Sequence, residues 1–136
     1  MTQIWDDFTD YISQNYPDAK KIVEVGVGAI LTPAQLLKEK LPDTKIKLID
    51  IHPKNETVIY DDITQPTDSI YENCDLIYAI RPPEELQPDI MNLANKYNTD
   101  IIIKPLFTEE INLKYKNKLK LKNYKRLSLY HYKRGI

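Results

Sequence analysis

The stretch KKIVEVGVGAILTPAQLLKEK, residues 20–40, decides the fold. Its β-branched run, KIVEV, reads as a strand. Gly26 and Gly28 follow one residue apart, in a chain with only 3 glycines. Glycine lets the backbone turn sharply and approach a ligand closely. Thr32 is the expected N-cap of a helix, with Pro33 at its first helical position. Strand, glycine turn and helix form the opening unit of a parallel α/β sheet. Such sheets keep their chemistry beyond the carboxyl ends of their strands.

The same alternation runs outward in both directions. Before it, IWDDFTDYISQNY places Ile4, Trp5, Phe8, Tyr11, Ile12 and Tyr16 on one helical face, stopped by Pro17. After it, KIKLIDI, ETVIYDDI, CDLIYAI and TDIIIKPL read as strands. PTDSIYENC reads as a short helix or turn, and LQPDIMNLANKYN as a helix burying Leu86, Ile90, Leu93, Ala94 and Tyr97. Unbroken apolar strands between helices predict a mostly parallel sheet covered on both faces. The end differs: LKLKNYKRLSLYHYKR alternates apolar and polar residues, as an antiparallel hairpin or edge strand does. The expected fold class is α/β, Rossmann-like, with an antiparallel C-terminal edge, in a single domain over residues 1–136.

Composition narrows the function classes. No apolar run reaches membrane-spanning length, and the acidic N-terminus is unlike a signal peptide, so a cytoplasmic protein is expected. Cys74 is the lone cysteine, which excludes an internal disulfide and a cysteine zinc cluster. It reads as a packing residue. Two histidines and scattered acids show no metal-ligand spacing. The net charge of −1 hides an asymmetry: 10 of the 19 basic residues lie in residues 104–136. Such a tail can meet nucleic acid, another anion or the protein's own acidic body. A solvated lysine-rich strand pair is the plainer reading.

Three features fall at successive strand ends. Glu24, Gly26 and Gly28 lie at the first strand-to-helix turn, where free N–H groups of the next helix point at a ligand. Asp50 ends the second strand, 22 residues after Gly28, where an acid can take both hydroxyls of a ribose. Asp61 and Asp62 follow the third strand, where a carboxylate can accept from an adenine amino group. Together they point to an adenosine-containing ligand. The dinucleotide pattern wants a third glycine where Leu31 stands, which argues against NAD.

Acid-x-Gly-x-Gly, then an acid ending strand two and another after strand three, resembles class I S-adenosylmethionine-dependent methyltransferases over about residues 20–105. That resemblance implies S-adenosylmethionine as cofactor. Gly26 and Gly28 would pass beneath its methionine part, Asp50 would hold the ribose and Asp62 the adenine. Those enzymes often carry a third glycine where this chain has Ala29 and Ile30, whose bulk would narrow the pocket. The set VEVGVG, DIHP, DDIT, LIYAIRPPEEL and IIIKPL is similar to a small archaeal uncharacterised protein family (family 0146) with a methyltransferase-like Rossmann core. This second resemblance spans nearly the whole chain and implies the fold, not an activity.

Methyl transfer requires positioning, and a base only when the acceptor must lose a proton early. Where amine methyltransferases carry Asp- or Asn-Pro-Pro-aromatic, this chain has Arg81-Pro82-Pro83-Glu84. Arginine only donates and stays cationic, so amine methylation by that route is not expected. Arg81 suits an anionic substrate or an internal clamp on Glu24, Asp50 or Asp62. Lys104 closes strand five on the same rim, near Glu109 and Glu110, either in solvent or on an anion. His52 is expected in a surface loop and His131 in a strand. Trp5, Phe8 and Tyr11 either shelter the cofactor or pack against the sheet. Three readings follow: a minimal methyltransferase on a small anionic acceptor, a nucleoside-binding module without turnover, or an interaction protein using residues 114–134 on RNA or an acidic partner.

Overall fold

A computed structural model describes residues 2–105 and 118–134. The helices are α1 (Thr2–Asn15), α2 (Thr32–Lys40), α3 (Asp68–Tyr71) and α4 (Gln87–Tyr97). The strands are β1 (Lys21–Val25), β2 (Lys45–Asp50), β3 (Val58–Tyr60), β4 (Leu76–Ile80), β5 (Asp100–Lys104), β6 (Lys120–Tyr124) and β7 (Leu127–Tyr132). They form a 7-stranded sheet in the order β3-β2-β1-β4-β5-β7-β6. The first five strands pair in parallel, and β7 runs antiparallel to both β5 and β6.

This order explains where a site can form. The chain steps outward from β1 through β2 to β3, then returns to β4 beside β1 and steps the other way. Connections above β1 and β4 therefore part in opposite directions and leave a crevice between them. The glycine turn follows β1, and Arg81 follows β4, so both border it.

Period-two alternation sorts the strand residues onto two faces. Ile22, Leu76, Tyr78 and Ile102 meet Phe8 and Ile12 of α1 and Leu37 of α2. Val23, Val25, Ile77, Ala79 and Ile101 meet Ile70 and Tyr71 of α3 and Ile90 and Leu93 of α4. Each fully buried Val, Leu, Ile or Phe among them contributes roughly 1.5–3 kcal/mol by leaving water. Of the three aromatics that could shelter a cofactor, Phe8 and Tyr11 belong to this core. Trp5 alone reaches the crevice.

Several local expectations are corrected. Thr32 is the first residue of α2 rather than its cap; Leu31 holds the cap position, with no side-chain cap hydrogen bond. The third strand is shorter than ETVIYDDI because the chain turns after Tyr60, where the side chains of Asp61 and Asp62 take turn contacts with Thr67 and Thr64. The short link 51–57 carries no helix, which parallel crossovers usually need. It suffices because β3 pairs only with the end of β2, at Leu48, Ile49 and Asp50. The tail forms the expected antiparallel hairpin, and β6, with exposed Lys120 and Lys122, is the outer strand. Lysines on an outer strand discourage pairing with other chains.

Candidate cofactor and acceptor site

The glycine turn is held in a conformation that glycine alone adopts easily. Gly26 has φ +69° and Gly28 has φ +65°. A Cβ built on either would meet nothing within 4 Å, so backbone conformation, not crowding, requires glycine here. The N–H groups of Gly26 and Val27 donate to the carbonyl of Ile49, at 2.9 and 3.2 Å, which ties the turn to the end of β2.

Asp50 completes the tie. Its Oδ2 accepts the Gly28 N–H at 2.7 Å, and its Oδ1 accepts the His52 N–H at 2.8 Å. A carboxylate has about four lone-pair positions. Two stay free for hydroxyl donors, and the space above the glycines is open. These residues therefore fit the ribose and methionine parts of an adenosyl sulfonium cofactor. Asp62 also stands at this rim, but its Oδ1 accepts both the N–H and the hydroxyl of Thr64, at 2.9 and 2.7 Å. Those bonds hold its carboxyl below the usual range. Asp61 turns inward and is gripped by Thr67 and Tyr71, so it pins the loop to α3. Ala29 and Ile30 do not plug the turn: both are exposed, Ile30 by 51%.

Glu24 lies beside the turn but in the core. It shares the face of Ile22, is 2% exposed, and accepts the Tyr78 hydroxyl at 2.8 Å. Burial pushes its pKa up to about 8, against a smaller opposing pull from the Tyr78 hydrogen bond. At neutral pH it is a carboxylic acid, able to donate as well as accept. It floors a cavity of about 70 Å³ whose other walls include Trp5, Ile30, Ile80 and Arg81. That volume is below the roughly 300 Å³ of ordinary ligand pockets, though large enough for a few waters or a small head group.

Across the crevice, Arg81 has φ +53°, a left-handed backbone that is costly for a side-chain residue. Its N–H donates to the Lys104 carbonyl at 2.7 Å, and its guanidinium lies 6.0 Å from the centre of the Trp5 ring. The internal clamp on Glu24, Asp50 or Asp62 does not form. Among the described residues no carboxylate stands within ion-pair distance of Arg81, because the backbone turn aims it at Trp5. Lys104 is not a solvated cap either. It is 9% exposed, and its Nζ donates to the Pro105 carbonyl at 2.9 Å. Burial first, and then the nearby Arg81 charge, push its pKa down. Glu109, Glu110 and residues 114–117 lie outside the described residues.

The remaining candidates are structural. His52 is an exposed loop residue. His131 is a buried β7 residue, discussed below. Cys74 is buried, its Sγ–H donates to the Leu76 carbonyl, and burial pushes its thiol up to about 11. Sequence reasoning missed the burial of Lys104 and the Trp5–Arg81 stack. One signal was present: Tyr78, in the apolar run LIYAI, needs a hydrogen-bond partner when buried, and register puts Glu24 opposite it.

The profile of the Uncharacterised protein family (UPF0146) matches residues 5–134. The chain belongs to this family. A UPF0146 protein of Methanothermobacter thermautotrophicus is 36% identical over 129 residues, 95% of each chain. Another from Methanocaldococcus jannaschii is 40% identical over 116 residues, 79% of this chain and 80% of its own. The fold is methyltransferase-like. An S-adenosyl-L-methionine methyl transferase from Silicibacter pomeroyi superposes with TM-score 0.58 at 14% identity, over 94% of this chain and 89% of that one. The plantazolicin methyltransferase BpumL in complex with SAH gives 0.55 at 18% identity, over 75% of this chain and 45% of its own length. At such identities the likeness concerns the fold alone. Among the described residues no helix is long and apolar enough to cross a membrane.

Proposed function

We propose that this UPF0146 protein binds S-adenosylmethionine and is a minimal methyltransferase for a small anionic acceptor. One observation carries the reading: Asp50 accepts the N–H of Gly28, which joins the two strand ends into one cradle beneath open space. Gly26 and Gly28 would lie under the methionine part, Asp50 would hold the ribose and Asp62 the adenine through its free oxygen. Such a cofactor supplies a methyl group on a sulfonium centre. Arg81 supports an anionic acceptor, since it can donate to a carboxylate or phosphate and cannot accept from an amine.

The nucleic-acid reading draws less support. Lys125, Arg126 and Arg134 spend their charges on Asp10, Asp7 and Asp100 of the protein's own body. Isothermal titration with S-adenosylmethionine and S-adenosylhomocysteine, with NAD as control, tests the cofactor site. Binding to both sulfur ligands, none to NAD, and at least a tenfold loss in Asp50→Ala are expected. No heat with either at millimolar ligand would overturn the reading. Binding without methyl transfer to any carboxylate or phosphate acceptor would identify a nucleoside-binding module instead.

A further inference from the structure

Two cations meet at the carboxyl ends of β4 and β5 with no acid to balance them among the described residues. Ile80 pairs with Lys104 across the ladder, and the Arg81 N–H closes onto the Lys104 carbonyl. Burying an ammonium whose acceptor is a neutral carbonyl is costly, and bringing a second cation near raises that cost. The left-handed backbone at Arg81 adds a further cost. Strain and uncompensated charge held at one place point to a ligand that relieves them.

We propose that Arg81 and Lys104, with the carboxyl of Glu24 on the cavity floor, form a subsite for the carboxylate or phosphate of the acceptor. The guanidinium presents a planar fork at the cavity wall, and the Lys104 ammonium, which lies behind that wall on the neighbouring strand, adds a second positive charge near it. Glu24 has no place beside an anion when ionised, but as a carboxylic acid it donates to one. The cavity it floors admits a small oxyanion group and no nucleoside. Trp5 forms the apolar side wall and supports the guanidinium. The subsite itself stands on this geometry; its assignment to the acceptor rests on the methyltransferase reading.

Trp5 is the only tryptophan, so the site carries its own reporter. Intrinsic fluorescence is titrated with inorganic phosphate and with acetate, against sodium chloride at matched ionic strength. A saturable change with either oxyanion is expected, absent with chloride. Arg81→Asn should abolish it, since asparagine tolerates the left-handed backbone and removes the cation. Lys104→Gln should weaken it at least tenfold. Identical responses in wild type and Arg81→Asn, or an equal response to chloride, would overturn the subsite. A preference between phosphate and acetate names the acceptor group. Repeating the titration with saturating S-adenosylhomocysteine separates the two possible owners of the anion. A retained response supports the acceptor assignment. A competed response means the site takes the cofactor's own carboxylate, and overturns it. If S-adenosylhomocysteine does not bind, the cofactor reading fails while the oxyanion titration still decides the subsite.

Discussion

The seam between α1 and the β6–β7 hairpin and the rim above β1, β4 and β5 treat charge in opposite ways. On the seam every buried polar group has a partner. Asp7, 1% exposed, is gripped by Arg126 through Nε and Nη2 at 2.9 and 3.0 Å. Asp10 pairs with Lys40 at 2.7 Å and Lys125 at 3.1 Å. His131 is saturated: Tyr11 meets Nδ1 and Tyr16 meets Nε2, both at 2.7 Å. The Tyr16 hydroxyl spends its one proton on Asp100, at 2.6 Å, so it accepts from His131. This assigns the neutral tautomer protonated on Nε2, with Nδ1 accepting from Tyr11. On the rim, Glu24, Arg81 and Lys104 are buried or strained and have no ion pair among the described residues. The difference teaches that charge on the seam holds the fold together, while charge on the rim is held against the fold's own interest.

Stability against pH can break this comparison. The largest expected effect is at Glu24, whose folded pKa of about 8 lies above the ordinary 4.5. The folded state keeps the proton, so its advantage is full below about pH 4.5 and is lost as pH rises through 8. Measured against Glu24→Gln by urea unfolding, wild type should therefore lose stability over that window. Glu24→Gln should remove the decline, gaining about 3–5 kcal/mol on wild type between about pH 5 and pH 9. Equal slopes in the two proteins would show that Glu24 is not a buried acid.

The seam should behave with the opposite sign. Burial, followed by the Lys133 charge, pushes the His131 pKa down to about 4, below its ordinary 6.5, against a smaller opposing pull from Asp100. Here the unfolded state binds the extra proton. The contribution is full above about pH 6.5 and is lost as pH falls through 4. It amounts to about 2–3 kcal/mol, and the same unfolding series in His131→Gln should lack it. The same change in stability between pH 7 and pH 4 in wild type and His131→Gln would remove the seam from the comparison.

The smallest effect sharpens the rim. Arg81→Gly relieves a left-handed residue and should raise stability by about 1 kcal/mol, read by thermal unfolding at pH 7. A destabilised variant would mean that the guanidinium on Trp5 supports the fold more than the backbone strains it.

Much of the fold was legible in residues 20–40 alone. Strand propensity, the two glycines and the proline that opens α2 are local properties, readable without knowing what packs against them. Asp50 was legible for the same reason: it follows a strand by the spacing that an α/β unit imposes. The ends of elements were less so. Asp61 and Asp62 each took local side-chain hydrogen bonds that compete with the strand, and small differences decide such choices. At the site, the sequence pointed to Arg81 but not to its target, since backbone conformation after β4 sets its direction.

What the sequence by itself determined was the order of elements, the two faces of the sheet and the residue types at each strand end. Only the tertiary structure decided their charge states. Asp7 and Arg126 are 119 positions apart, yet their contact turns a basic tail into a docked hairpin. Glu24 is an acid because the core buries it, against the smaller pull of the Tyr78 hydroxyl, and among the described residues the charge beside Lys104 is Arg81 rather than a carboxylate. Burial and long-range proximity set a group's protonation, and neither is a property of the residue or its near neighbours in the chain.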